Sequence, residues 1–162
     1  MMNNIKNNLN RILEPFLLGL LVTLVLVVLW QVFSRYVLQS PSTFTDEVAR
    51  FLLIWLSLIG AAWVLGQKAH LAIDILPENL ARKGDTRLYR FLYVLILVFA
   101  LSVMVVGGFN LVQVTLKLEQ LSTVLQVPMG YIYLALPISG LLITIYSICH
   151  IFSDNIASKE DQ

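Results

Sequence analysis

Long apolar runs without charge alternate with short polar segments along the chain, and this alternation predicts four membrane-spanning helices. A helix needs about 20 apolar residues to cross about 30 Å of hydrocarbon. The spans predicted from these runs, which carry charged residues only near their ends, lie at about 12–36, 44–65, 88–116 and 128–151. The predicted fold is therefore an all-α integral membrane protein that forms a single membrane domain over residues 1–162.

Local residue types mark the ends of the predicted spans. Thr43 and Asp46 have the spacing of a capping box at the start of the second span, and Gly66 is typical of a helix C-terminal stop. Pro128 suits the first turn of the fourth span, whereas Pro137 lies inside that span and predicts a kink. These signals define the second span best.

The polar segments after the second and fourth spans predict two different structures. Residues 67–87 mix apolar with polar positions, which is typical of short amphipathic pieces that lie in the membrane interface. Within them His70 and Asp74 are four residues apart, so they could form a pH-sensitive pair or contact a partner. Residues 153–162 are short and polar, and we expect this tail to be disordered.

Lysine and arginine positions predict the orientation of the spans. The first apolar run is too long for a removable signal peptide, so we interpret it as a retained span. With the N-terminus inside, eight basic residues lie in inner segments and three lie outside, which places both termini in the cytoplasm. The inner residues are Lys6, Arg11, Lys68, Arg82, Lys83, Arg87, Arg90 and Lys159, and the outer ones are Arg35, Arg50 and Lys117.

Composition narrows the classes of function. Hydrophobic residues make up 58% of the chain and charged residues 13%, whereas soluble domains carry about 25% charged residues. The net charge is +1 and no basic stripe is interleaved with aromatic residues, so nucleic acid is not an expected partner. Because the chain has one cysteine, Cys149, and no histidine in the span cores, we expect no metal, no cofactor and no enzymatic activity.

The strongest local signal stands at the start of the second span. Asp46 and Glu47 lie four and three residues before Arg50, so either acid can meet Arg50 at the membrane edge. A structural explanation is also available, since acids favour a helix N-terminus and arginine extends toward the interface. Spacing alone favours this structural explanation.

Small and polar residues raise two further possibilities for packing. Ser57 with Ala61 and Ala62 with Gly66 are four apart, which lets helices approach closely either within this chain or against a partner subunit. The third span carries polar residues on nearly one face, where they should meet protein or water rather than lipid, although a position near a helix end explains them more simply. These polar residues are Asn110, Gln113 and Lys117.

Several short motifs stand in a fixed order along the chain. They are Asp46-Glu47-Val48-Ala49-Arg50-Phe51, Ile54-Trp55, Gly60-Ala61-Ala62, His70-Leu71-Ala72-Ile73-Asp74, Ser122-Thr123-Val124-Leu125-Gln126-Val127-Pro128 and Tyr133 with Leu136-Pro137-Ile138-Ser139-Gly140. Taken in this order, the motifs resemble the DctQ-type small membrane subunit of TRAP (tripartite ATP-independent periplasmic) transporters. The resemblance covers about residues 12–150.

The resemblance implies a subunit of the bacterial inner membrane that carries no substrate itself and scaffolds a large polytopic subunit. That large subunit would hold the sodium and substrate sites, and a periplasmic binding protein would deliver an organic acid such as sialic acid or a dicarboxylate. In this interpretation, loss of Arg50 leaves Glu47 unpaired and weakens assembly. The expected docking residues are Asp46, Glu47, Arg50, Trp55, Ser57, Gly60, Ala61, His70 and Asp74.

A small proton-coupled multidrug antiporter is the alternative, because such proteins also have four helices and a membrane acid near the start of the first. Glu14 is the candidate acid, but it lies before Pro15 at the edge of the apolar run. Such antiporters also have shorter chains without a connector like 67–87. A membrane cytochrome is disfavoured because the span cores lack histidine.

Overall fold

A computed structural model describes the backbone of residues 2–40, 42–67 and 86–160. Most of the connector that the sequence predicts between the second and third spans lies outside these residues. His70 and Asp74 belong to that part, so the expectations about them stay predictions.

Four helices among the described residues are long and apolar enough to cross a membrane, which confirms the predicted all-α membrane fold. The first two helical segments are the first and second spans, the next three form the third span, and the last two form the fourth. In chain order the segments are Met2–Tyr36, Thr43–Gln67, Thr86–Phe99, the π-helix Ala100–Gly107, Gly108–Lys117, Met129–Tyr133 and Ala135–Glu160.

Ser42 caps the second span, so the predicted capping box of Thr43 and Asp46 is wrong. The backbone N–H of Thr45 donates to Ser42 Oγ at 3.4 Å, and Thr45 Oγ1 donates to the carbonyl oxygen of Ser42 at 2.9 Å. Thr43 is already the first helical residue, and the carboxylate of Asp46 bonds other side chains instead. The cap and the first helical residue therefore each lie one position earlier than the spacing predicted.

Gly66 lies inside the second span and does not end it, because the helix continues to Gln67. A Cβ added at Gly66 would lie 2.5 Å from Cζ of Tyr146, whose side chain is fully buried. The glycine thus lets the tyrosine ring of the fourth span pack directly on the helix backbone. Ala62 is also fully buried, so the Ala62 and Gly66 pair serves packing within this chain.

A π-helical segment, Ala100–Gly107, interrupts the third span, and the sequence pattern did not predict it. In a π-helix each N–H bonds the carbonyl five residues earlier, so the turn is wider than in an α-helix. Ala100 and Met104 of this segment are buried against the fourth span. Directly after it, a Cβ on Gly108 would lie 3.0 Å from Cδ of Pro137, so the two spans are in close contact there.

The interior proline of the fourth span interrupts the helix at Leu134, three residues before Pro137. Proline has no N–H to donate, and its ring crowds the carbonyl of the residue four positions earlier, which is Tyr133. The hydrogen-bond ladder resumes directly after the proline, where the Ile138 N–H donates to the Leu134 carbonyl at 3.2 Å.

The last helix extends to Glu160, beyond the predicted end of the span at 151. The expected disorder from residue 153 is therefore wrong for 153–160. After Gly140 the sequence has no proline or further glycine to end the helix, and polar residues alone do not stop one.

The four spans lie side by side in the order first, second, fourth, third, each packing mainly on its neighbour in that order. A buried cluster of Leu13, Leu17, Ile59 and Tyr146 joins the first, second and fourth spans. Half of the most apolar window of the fourth span is buried, but only 6% of that of the first. The corresponding shares of the second and third spans are 11% and 22%, so the fourth is the best covered of the four spans among the described residues. We call the edge formed by connections 37–42 and 118–128 the loop edge.

Candidate functional site

Glu47 holds the connection between the third and fourth spans at the loop edge. Its carboxylate accepts the backbone N–H groups of Thr123, Val124 and Leu125 at 3.1, 3.0 and 2.8 Å. Consecutive N–H groups that converge in this way form an anion-binding concavity, and a charged acceptor strengthens each hydrogen bond. Glu47 therefore fixes the tip of this loop to the start of the second span.

Backbone hydrogen bonds inside the 118–128 loop give it a defined shape. The Ser122 N–H donates to the Val127 carbonyl at 2.9 Å, and the Met129 N–H donates to the Gln120 carbonyl at 2.9 Å. These bonds close the base of the loop like a short hairpin. The three N–H groups at its tip are left free to meet the carboxylate of the second span.

Left-handed backbone positions stand on both sides of the loop tip. Glu119 has φ +48° and ends the third span as a Schellman motif, in which its N–H donates to the Leu116 carbonyl at 3.1 Å and the Gln120 N–H to the Thr115 carbonyl at 3.2 Å. Gln126 has φ +55°. A left-handed backbone conformation is unfavourable for a residue with a side chain by about 1–2 kcal/mol of free energy. The surrounding hydrogen bonds must offset this cost.

Asp46 joins the first and second spans at the same edge. Its Oδ1 accepts from Nε2 of Gln31 at 3.0 Å, and its Oδ2 accepts from Nη2 of Arg50 at 3.1 Å. The expectation that Asp46 and Arg50 meet is confirmed. Because the two side chains are 54% and 67% exposed, the ion pair contributes only about 0.3–0.5 kcal/mol.

Glu47 does not depend on Arg50 for a partner. Both of its carboxylate oxygens accept backbone N–H groups of the loop, while the guanidinium of Arg50 bonds Asp46. The expectation that loss of Arg50 leaves Glu47 unpaired is therefore wrong. Adjacent residues on a helix point about 100° apart, so one acid faces the loop and the other faces the first span.

A cavity of about 260 Å³ opens between the first and second spans at the loop edge. Its volume gives room for several water molecules. The polar side chains around it would stabilise water or small polar groups at this edge. The lining residues are Gln31, Arg35, Ser42, Thr43 and Asp46.

Side-chain hydrogen bonds also tie the spans together at the opposite edge. Nε2 of Gln67 donates to Oε1 of Glu14 at 2.9 Å, and Oη of Tyr146 donates to Oδ1 of Asn10 at 2.6 Å. The first span is thus bonded to the second and the fourth. Glu14, the candidate acid of the antiporter alternative, takes part in this structural contact.

The other expected docking residues of the second span divide into two groups. Trp55 packs against the buried cluster of the first, second and fourth spans. Ser57 and Ala61 are exposed, and a Cβ on Gly60 would meet nothing within 4 Å. Ser57 Oγ donates to the Ile54 carbonyl of its own helix at 3.1 Å. Ser57, Gly60 and Ala61 therefore form a surface that no described part of the chain covers closely.

Sequence reasoning missed the partners of Glu47 because backbone N–H groups leave no residue signature. The available signal was an acid in the first turns of a helix on the same edge as the 118–128 loop. That signal does not distinguish a carboxylate that binds a loop from one that faces solvent. Gln31 was missed because its partner, Asp46, lies on the next helix, and spacing along the sequence does not show which side chains of two helices meet.

Comparison with known proteins finds relatives over nearly the whole chain. The sequence model of the family described as "Tripartite ATP-independent periplasmic transporters, DctQ component" matches residues 24–155. A candidate TRAP transporter small permease protein of Haemophilus influenzae is 26% identical over 153 residues, which cover 94% of this chain and 93% of that protein. The sialic acid TRAP transporter small permease protein SiaQ of Vibrio cholerae is 26% identical over 153 residues, 94% of this chain and 85% of that protein.

A further relative has a much longer chain. The isethionate TRAP transporter permease protein DctMQ of Oleidesulfovibrio alaskensis is 25% identical over 132 residues. The match covers 78% of this chain but only 21% of that protein. In that relative, the region similar to this chain is therefore joined to a larger part of the same polypeptide.

Proposed function

Because the chain belongs to the DctQ component family of tripartite ATP-independent periplasmic (TRAP) transporters, we propose that it scaffolds a large permease subunit for sodium-coupled uptake of an organic acid. A periplasmic binding protein would deliver the solute, and the large subunit would hold the solute and sodium sites. Sialic acid and dicarboxylates are the solute classes that the proposal favours. The relatives are small permease proteins of TRAP transporters, one of them for sialic acid.

The main support for the scaffold role is that the cores of the spans contain no charged residue. An organic anion or a sodium ion inside the membrane needs charged or strongly polar ligands. Within the residues whose helices are described, 15–34, 51–67, 91–116 and 129–149 contain no Asp, Glu, Lys or Arg. This distribution supports a subunit that holds another protein in place over one that carries the solute itself.

A scaffold has to resist deformation while its partner moves. The loop edge supports this role, because Glu47 binds the 118–128 loop and Asp46 bonds the first span. The opposite edge supports it as well, through the bonds of Gln67 to Glu14 and of Tyr146 to Asn10. We therefore propose that the chain broadens the fixed part of an elevator-type transporter.

Membrane location and docking residues complete the proposal. The count of basic residues supports a multi-pass protein of the inner membrane with both termini in the cytoplasm and the loop edge in the periplasm. Asp46, Glu47 and Arg50 would order that edge, whereas the exposed surface of Ser57, Gly60 and Ala61, together with His70 and Asp74, would contact partners.

An uptake assay tests the proposal. Cells that keep the large subunit and the binding protein but lack this chain should lose sodium-dependent uptake of the labelled organic acid, and the chain supplied from a plasmid should restore it. Unchanged uptake without the chain would contradict the proposal. The family assignment does not favour the multidrug antiporter. Only if the chain were such an antiporter would Glu14→Gln reduce drug resistance.

A further inference from the structure

The third span has one face that packs within the chain and one that does not. Its buried residues face the fourth span and are Tyr93, Ala100, Met104, Gly108, Val112 and Thr115. The opposite face is exposed from one end of the span to the other. What covers this second face in the membrane depends on its chemistry.

The uncovered face changes from apolar to polar along the span. Its first half forms a shallow groove of about 470 Å³ with one hydroxyl and otherwise apolar side chains, from Phe91 to Ser102. Its second half presents residues at spacings of four, three and four, which places them on one side of a helix. These residues are Val106, Asn110, Gln113 and Lys117, and all of them are exposed.

The two amide side chains do not suit a surface that faces lipid. Asn110 and Gln113 have no hydrogen-bond partner among the described residues. An exposed hydroxyl side chain can bond its own helix, as where Ser102 Oγ donates to the Val98 carbonyl at 2.6 Å. A carboxamide has two N–H donors and an acceptor, which its own helix does not satisfy. Asn110 lies seven residues before Lys117, about 10 Å from the end of the span.

The first span differs in this respect, although it is just as exposed. Between residues 15 and 34 its exposed side chains are apolar, except for that of Thr23, whose Oγ1 donates to the Gly19 carbonyl at 2.8 Å, and the partly exposed Gln31 bonds Asp46. Lipid can cover such a surface without leaving a polar side chain unpaired. Of the two outer spans, the third is therefore the one whose chemistry calls for a protein neighbour.

We propose that the large permease subunit docks on this face of the third span, with Asn110 and Gln113 hydrogen-bonded to it and the groove from Phe91 to Ser102 filled by its apolar side chains. This inference rests on the proposed function. The fused relative supports the occupant, since the region similar to this chain makes up only 21% of that permease protein. A larger membrane protein therefore accompanies the region in at least one relative.

Leucine substitutions test the hydrogen bonds. Asn110→Leu with Gln113→Leu makes the span more apolar, so membrane insertion is kept while the proposed bonds are lost. We expect about a fivefold to tenfold decrease in the large subunit that co-purifies with the tagged chain, the effect of losing two interhelical hydrogen bonds. Thr23→Leu is the matched control and should leave the yield unchanged. An undiminished yield for the double variant would overturn the role of the amides.

Photocrosslinking locates the face independently of any loss of stability. A photoreactive amino acid replaces Val106 on the third span, 67% exposed, or Leu26 on the first span, 61% exposed. We expect the large subunit to be crosslinked from position 106 and not from position 26. The reverse pattern, or a crosslink from 106 to a second copy of this chain, would overturn the docking face while leaving the proposed function intact. If no large subunit co-purifies with the wild-type chain, the proposed function itself fails.

Discussion

Two adjacent acids at the start of the second span have different partners, and this difference determines what each residue contributes. Glu47 accepts three backbone N–H groups of the 118–128 loop, whereas Asp46 bonds the side chains of Gln31 and Arg50. A backbone contact restrains the path of the chain, while an exposed side-chain contact restrains only two flexible groups. We therefore expect unequal effects when each acid is neutralised.

Glu47→Gln should loosen the loop tip. The substitution removes the charge and turns one acceptor oxygen into an N–H₂ donor that faces other donors. Amide hydrogen exchange at Thr123, Val124 and Leu125 should become about tenfold faster, because local opening then requires less free energy. Asp46→Asn is the matched control and should leave exchange at the loop tip unchanged. Equal exchange rates in the two variants would contradict the role of Glu47.

Arg50→Ala should have a small effect. It removes an exposed ion pair with Asp46 that contributes about 0.3–0.5 kcal/mol, and Glu47 keeps all three of its N–H partners. The free energy of unfolding in detergent and the yield of the transporter complex should both stay close to wild type. A complex that falls apart in Arg50→Ala would show that the guanidinium contacts a partner directly.

Among the helices, close packing at glycines determines how the second and fourth spans meet. Gly66 lies against the ring of Tyr146, whereas Gly60 on the same helix has open space where a Cβ would be. Helix packing therefore requires a glycine at position 66 but not at position 60. The pair permits a matched test of the helix arrangement.

Gly66→Ala should destabilise the protein by about 1–3 kcal/mol, because the added methyl group displaces a fully buried tyrosine ring. Gly60→Ala should be neutral or stabilising by up to about 1 kcal/mol, since alanine has the higher helix propensity. Thermal unfolding in detergent measures both variants. A greater loss of stability in Gly60→Ala than in Gly66→Ala would contradict the described contact.

The spans could be predicted from the sequence because each apolar run is longer than the hydrocarbon core. The effect of Pro137 was also predictable, since a missing N–H follows from residue type alone. The π-helix Ala100–Gly107 was not, because its apolar residues give no local signal that distinguishes it from an α-helix. The partners of Glu47 and the contact of Gly66 depend on which segments meet in space, and sequence spacing does not give that.

As a whole molecule, the chain is a row of spans rather than a closed bundle, with the second and fourth spans in the middle and the first and third at the sides. A closed bundle would bury its polar residues inside, whereas this row exposes Asn110 and Gln113 at one side. A row has two broad faces and two flanks available for a larger partner. This arrangement agrees with a subunit that widens a fixed platform.

Orientation can be measured on the intact chain. Reporter fusions that are active only in the cytoplasm should give a signal at both termini, because the basic residues concentrate on that side. A periplasm-specific reporter inserted in the 118–128 loop should be active. Termini that give no cytoplasmic signal would place the loop edge in the cytoplasm and contradict the proposed orientation.

Native mass spectrometry of the complex purified through a tag on this chain tests the central claim most directly. The account predicts one copy of this chain with one copy of a large polytopic permease subunit, and loss of the large subunit when the third-span face is altered. A chain that is released from the membrane alone or as a homodimer, in mild detergent and with the large subunit expressed, would contradict it.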